Sequence, residues 1–183
     1  DRSEITRCEK ISTDIFATID EGASNIADCI ELEIRSKPRE GKYCVLGLGT
    51  GLSLTPIFQE LIRKHKEEKL SFKNVVVFNA YEYFPLVAES NISSINQLKK
   101  RSLDHDDIDY QNVFSLDGTI SQDAVQDYCR LYEQRIKTFG GIDVMLLGIG
   151  RIGNIATNEP GSSLTSTSRL ILIDATSREE MTM

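Results

Sequence analysis

The sequence predicts an α/β fold: a Rossmann-like, doubly wound, mostly parallel sheet with helices on both faces. Three observations carry this expectation. The strand candidates 43–48, 75–78 and 142–147 are apolar nearly throughout, as strands covered on both faces are. They alternate with helical patterns, which argues for right-handed βαβ crossovers. The chain has 183 residues, 40% hydrophobic and 27% charged. That suits one domain, which at this size buries roughly 70% of its unfolded surface without disulfide or metal staples.

Taken in order, residues 11–16 are a weak strand candidate. Asp20 is placed to cap a helix whose apolar face is Ala23, Ile26, Ala27, Ile30 and Ile34, spaced three and four apart. Pro38 to Gly41 ends it, and strand 43–48 follows. A second helix starts near Thr55 and Pro56, because proline is tolerated in a first turn. It carries Phe58, Leu61 and Ile62 inward and Lys64, Lys66, Glu67 and Glu68 outward. Strand 75–78 leads to a helix over 93–103, with Ile95 and Leu98 inside, and then to an acidic loop over 104–109. Val113 and Phe114 form a short strand. A long helix over 122–139 aligns Val125, Cys129, Tyr132 and Ile136, and Gly140 and Gly141 stop it as a left-handed C-cap does. Strand 142–147 is the third buried strand and 170–173 a fourth. Residues 1–183 are expected to be a single domain of a longer polypeptide, since Asp1 opens the sequence without a starting Met or an apolar signal region.

The net charge of −7 and pI near 4.9 argue against nucleic acid and anionic lipid, whose binding rests on clustered Lys and Arg. A small anion stays compatible where backbone N–H groups hold it. The longest apolar run, 144–149, is broken by Gly148 and is far below the ~20 residues that a membrane crossing needs. Cys8, Cys29, Cys44 and Cys129 show no C-x-x-C spacing, and His65 and His105 are the only histidines. No zinc pattern can be drawn, and no metal or cofactor is expected. The cysteines read as buried or partly buried thiols of a reducing, cytoplasmic compartment. Both histidines read as solvated.

In a doubly wound sheet, ligands sit at the carboxyl ends of the strands. Three loops lie there. The first runs Gly47-Leu48-Gly49-Thr50-Gly51-Leu52-Ser53. Its glycines let the backbone approach an anion, and the next helix offers free N–H groups, with the Thr50 and Ser53 hydroxyls beside them. The alternative is a tight turn in which glycine merely fits. The loop lacks the Lys of a P-loop, and no acidic residue closes the following strand as a dinucleotide site requires. The second loop sets Asn79, Tyr81, Glu82 and Tyr83 after a buried strand; there, either ligand contact or capping of a neighbouring helix by Glu82 explains them. The third runs from Gly148 through Gly150, Arg151, Gly153, Asn154 and Asn158 to Glu159, Pro160 and Gly161. Arg151 either meets an anion or points to solvent.

Together, Val45–Gly51, the stretch 70–79, Tyr83 and Gly148-Ile149-Gly150 through Asn158-Glu-Pro-Gly-Ser-Ser-Leu164 resemble the glucosamine-6-phosphate deaminase family, also called the glucosamine-6-phosphate isomerases. The Asn-Glu-Pro-Gly-Ser-Ser stretch separates it from the related 6-phosphogluconolactonases. The resemblance implies a Rossmann-like domain that converts glucosamine 6-phosphate to fructose 6-phosphate plus ammonia, often as a hexamer, so a homo-oligomer is among the expectations. It implies an anion cradle at Gly49, Thr50, Gly51 and Ser53, with Leu52 able to crowd it, and Asn79, Gly150 and Arg151 are expected to bind substrate or phosphate with them. The family's base Asp falls on Tyr81, with its companion Glu and Tyr kept as Glu82 and Tyr83. The family's Asp and ring-opening His fall on Ile152 and Asn154, and the Glu that orients the His is kept as Glu159. The allosteric pocket retains Ser162 and Arg169 but has Ile171 for a Lys. A phenol is mostly protonated at neutral pH, and an amide exchanges no proton as imidazole does. Two readings follow. One is a variant enzyme using Glu82 as base, with Glu159 and Asn154 as polar organisers. The other is a sugar-phosphate-binding or structural domain that has lost its acid–base set. A nucleotide-binding Rossmann domain is a third, weaker reading.

Overall fold

The computed structural model describes residues 11–181. In chain order the elements are α1 (Ile19–Ser36), β1 (Cys44–Leu48), α2 (Thr55–Glu68), β2 (Val75–Asn79), α3 (Ser94–Arg101), β3 (Val113–Phe114), α4 (Val125–Thr138), β4 (Val144–Leu146) and α5 (Ala175–Met181). The strands form one parallel sheet in the order β3-β2-β1-β4. Leu48 of β1 pairs with Asn79 of β2 and with Leu146 of β4, so three loops leave the sheet at one edge.

Side-chain alternation sorts the core into two layers. Cys44, Leu46, Leu48, Val75 and Val77 meet α1, α2 and α3 on one face through Ile30, Ile34, Phe58, Leu61 and Leu98. Val45, Val76 and Phe78 face α4 through Tyr132, with Phe114 and Phe139 packed alongside. Phe78 stacks on Phe114 at 5.0 Å and meets Tyr132 edge-on at 5.5 Å. Burying each such large apolar side chain contributes roughly 1.5–3 kcal/mol. The expected doubly wound sheet is therefore present.

Several elements depart from expectation. Residues 11–16 are irregular, and Ile11 and Ile15 are exposed; strand propensity without a partner strand does not hold an extended segment in a sheet. Thr18, not Asp20, caps α1, its hydroxyl accepting from the Glu21 N–H at 3.2 Å, and Asp20 falls in the first turn, where its charge suits the helix dipole. Strand 142–147 shortens to Val144–Leu146. Residues 170–173 form no strand; they lie outside the sheet with Leu172 exposed. Gly140 and Gly141 do stop α4, both at positive φ, with their N–H groups on the Lys137 and Ile136 carbonyls.

Lys64, expected to point outward, is buried between α1 and α2. Its ammonium reaches Asp28 at 2.6 Å, Glu31 at 2.9 Å and Glu68 at 3.4 Å, and these carboxylates, Asp28 foremost, raise its pKa. His65 is half-buried rather than solvated, its Nδ1 lying 2.6 Å from the Leu70 carbonyl past the end of α2. His105 is exposed as expected. Cys44 and Cys129 are buried, but Cys29 is exposed on the outer face of α1; no disulfide joins the three. Cys8 lies outside the described residues. Burial pushes the Cys44 thiol up to about 12, which leaves it protonated and unreactive. No helix among the described residues is long and apolar enough to cross a membrane.

Candidate functional site at the carboxyl edge of the sheet

The first loop leaves β1 and turns into a 3-10 segment (Leu52–Leu54) that continues into α2 with Pro56 in its first turn. The Gly49 N–H donates to the Leu146 carbonyl at 3.0 Å and extends the ladder to β4. The Leu54 N–H reaches back to the Gly51 carbonyl. The N–H groups of Gly51, Leu52 and Ser53 thus stand at the start of a helical run, where a helix supplies them no carbonyl of its own and its dipole is positive. Leu52 is 71% exposed and does not crowd the loop.

Thr50 is buried at the centre of a polar network. Its hydroxyl lies 2.9 Å from the Tyr81 phenol oxygen and 3.1 Å from the Ser94 hydroxyl, and its carbonyl accepts from Arg101 at 2.5 Å. Asn79, 1% exposed, donates to the Tyr81 carbonyl and accepts from Ser94. It braces the second loop from below. Tyr81 packs edge-on against Tyr83 at 5.9 Å, and burial raises the Tyr83 phenol's pKa.

Glu82 caps α3. Its two oxygens accept from the backbone N–H groups of Tyr83, Ser94 and Ile95 and from the Ser93 hydroxyl, all between 2.8 and 3.1 Å. A carboxylate at the first turn of a helix satisfies donors that otherwise lack partners.

The third loop folds tightly on itself. The Ala156 N–H donates to the Gly148 carbonyl and the Gly150 N–H to the Asn154 carbonyl. At Gly148 a β-carbon would stand 3.0 Å from the Ser53 hydroxyl, and at Gly150 one would stand 2.3 Å from the Asn154 side-chain oxygen. Bare backbone at these two positions brings the first and third loops together and seats Asn154. Asn154 donates to the Ala156 carbonyl at 2.8 Å, while its own oxygen is buried without a donor. Glu159 accepts from the Asp174 N–H with one oxygen, and its other is likewise buried without a donor. Arg151 sits on the exposed tip. Arg169 donates to Asn158 and Ser162, farther along.

Most of the residues singled out by sequence therefore converge: Gly49–Ser53 with Asn79 and Tyr81, and Gly148–Asn154 against Ser53. A cleft of about 800 Å³ opens beside them, between the Tyr81–Phe84 loop and residues 166–173. Tyr81 and Glu82 line it, whereas Gly49–Ser53, Asn154 and Glu159 do not. The polar loops, rather than this larger opening, hold the concentration of backbone donors and unpartnered acceptors. Ser94 and Arg101 join the network unannounced by any motif: one opens and the other closes an ordinary amphipathic helix. No cluster of His, Cys, Asp and Glu suited to a metal occurs among the described residues.

Fold and site together define a parallel α/β protein with its polar loops gathered at the carboxyl edge of the sheet. The profile of the family described as glucosamine-6-phosphate isomerases/6-phosphogluconolactonase matches residues 17–182, and the chain belongs to that family. It is 58% identical over 98% of its length to a glucosamine-6-phosphate deaminase-like protein of Bacteroides thetaiotaomicron, of which it covers 27%. It is 39% identical over 75% of its length to the glucosamine-6-phosphate deaminase of Dictyostelium discoideum, covering 51% of that protein. Among solved structures, a monomeric glucosamine-6-phosphate deaminase superposes with a TM-score of 0.82 at 33% identity, covering 88% of this chain and 65% of that one. The chain spans about half, or less, of the curated relatives named here.

Proposed function

We propose that this chain, a single domain, binds a phosphorylated amino sugar, with glucosamine 6-phosphate as the family-based choice, and that the polypeptide carrying it isomerises and deaminates that sugar to fructose 6-phosphate plus ammonia. One observation carries the reading: the glycine loop after β1 places the first N–H groups of a helical run at the sheet edge where the second and third loops meet it. Such a cradle suits a phosphate. Gly49 and Thr50 shape the turn, Gly51 and Ser53 donate to the anion, and Asn79 and Gly150 hold the neighbouring loops. The two buried acceptors, on Asn154 and Glu159, suit the hydroxyl or amino protons of a sugar. The Arg151 guanidinium adds a cation at the rim.

Turnover needs a base for the C2 proton, and in the enzyme reading that base is Glu82. Its oxygens are engaged by four donors, three at the start of α3 and the N–H of Tyr83, so it acts as base only by releasing some of them. That engagement favours a second reading, in which the domain binds the sugar phosphate without turning it over and Tyr81 completes the wall of the site. Calorimetry with glucosamine 6-phosphate, and an assay for ammonia and fructose 6-phosphate, separate the two. Turnover lost in Glu82→Gln supports the enzyme; binding without product supports the second reading; an absence of binding refutes both. Cytoplasmic location is proposed on the three described thiols, Cys29, Cys44 and Cys129, which form no disulfide. Homo-oligomerisation is proposed from the family resemblance alone, and light scattering tests it.

A further inference from the structure

Arg101 closes α3, far in sequence from the three loops, yet its guanidinium donates to the carbonyl of Thr50 at 2.5 Å. That carbonyl belongs to the peptide joining Thr50 to Gly51. In a planar trans peptide the carbonyl and the following N–H point in opposite directions. Holding the Thr50 oxygen toward α3 therefore turns the Gly51 N–H away from α3. Were this peptide to rotate, the loop would present an oxygen where it now presents a hydrogen, and an anion would be repelled. The same guanidinium is a permanent cation. No carboxylate lies within ion-pair distance of it among the described residues, in a chain whose net charge is −7. The opposite end of α3 is anchored as well, by Glu82 on the N–H groups of Ser94 and Ile95. The helix thus spans from the second loop to the first, and Arg101 sits on a fixed support.

We propose that Arg101 is the positioning residue of the anion loop: it sets the direction of the Gly51 N–H and supplies the positive charge that draws a phosphate to it. This rests on the reading of the loop as a phosphate cradle.

The test is calorimetry on the full chain with glucosamine 6-phosphate, inorganic phosphate and unphosphorylated glucosamine, at low and at near-physiological salt. In Arg101→Gln the dissociation constant for the sugar phosphate rises at least about tenfold, because the Gly51 N–H is no longer held toward the anion and a nearby positive charge is gone. Its salt dependence flattens, and any binding of glucosamine stays unchanged. Arg101→Lys keeps the charge, so it keeps the salt dependence and recovers part of the affinity. A purely structural role would alter both ligands alike and leave the salt dependence in place. Circular dichroism confirms that the variants are folded, and should Arg101→Gln not fold, Arg101→Lys against wild type carries the test. Wild-type affinity in Arg101→Gln overturns this inference alone. A wild-type chain that binds no phosphorylated sugar overturns the cradle reading and the inference with it.

Discussion

The phenol oxygen of Tyr81 and the hydroxyl of Thr50 lie 2.9 Å apart, and this contact joins the loop after β2 to the loop after β1. A long side chain from one strand end thereby closes over the centre of the next. The resemblance places a carboxylate at this position in the deaminases; here a phenol bonds to the floor of the first loop. Tyr81→Phe removes one of the two partners of the Thr50 hydroxyl and destabilises the fold by about 1 kcal/mol. A double-mutant cycle with Thr50→Val gives a coupling of similar size, about 1 kcal/mol. Urea denaturation of the four proteins measures it, and strictly additive effects would show that the contact contributes nothing.

Glu82→Gln leaves α3 with a neutral cap whose single carbonyl oxygen cannot serve four donors. The expected loss is about 1–2 kcal/mol, combining a weakened cap with a lost favourable charge at a helix start. Amide exchange at Ser94 and Ile95 accelerates beyond what the global change accounts for. Unchanged protection at both amides would mean that the carboxylate does not hold the helix.

Two glycines differ in what a methyl group meets. At Gly118 a β-carbon would stand 2.3 Å from the Tyr83 carbonyl and 2.5 Å from that of Leu86, both backbone. At Gly47 it would stand 2.2 Å from the sulfur of Met145, the flexible end of an exposed side chain. Gly118→Ala therefore forces the second loop to move and costs about 2–3 kcal/mol, whereas Gly47→Ala costs under about 1 kcal/mol. Thermal melts rank the two, and the reverse order would refute the distinction.

Burial raises the Asp106 carboxyl to about 6, against a bond from the Ile108 N–H that lowers it. Between its unfolded value near 3.8 and about 6, the folded chain keeps a proton that the unfolded chain has lost. This group's contribution is therefore most favourable below pH 4 and weakens as pH rises through 6. Asp106→Asn retains an acceptor for Ile108 without the charge, so it is more stable than wild type at pH 7 by about 1 kcal/mol, and the advantage shrinks toward pH 4. Equilibrium denaturation across this range reads the difference between the two proteins, in which the other carboxylates cancel. A constant difference across the range would contradict the burial effect.

The sheet was legible because its signals are local. Continuous apolar runs at 43–48 and 75–78 announce strands covered on both faces, and the three-and-four spacing of Ala23, Ala27, Ile30 and Ile34 announces α1. The glycines and polar residues after those runs marked the three loops, and the family stretch Asn158-Glu159-Pro160-Gly161 stood out by pattern alone. Residues 170–173 misled for the same reason: Leu-Ile-Leu-Ile has a strand's composition, but composition supplies no neighbouring strand. Lys64 misled because helical periodicity does not record that three carboxylates gather around one ammonium.

From its order of residues alone, the chain settles a parallel α/β architecture, the edge at which its loops gather and the family it resembles, because burial patterns and short motifs depend on near neighbours. Only the folded arrangement decides what each polar group in those loops does. It commits Glu82 to the start of a helix, leaves acceptors of Asn154 and Glu159 without donors, and brings Arg101 onto Thr50 from 51 residues away. Hydrogen bonds form between groups that packing places within about 3 Å, at separations along the chain that no local pattern encodes.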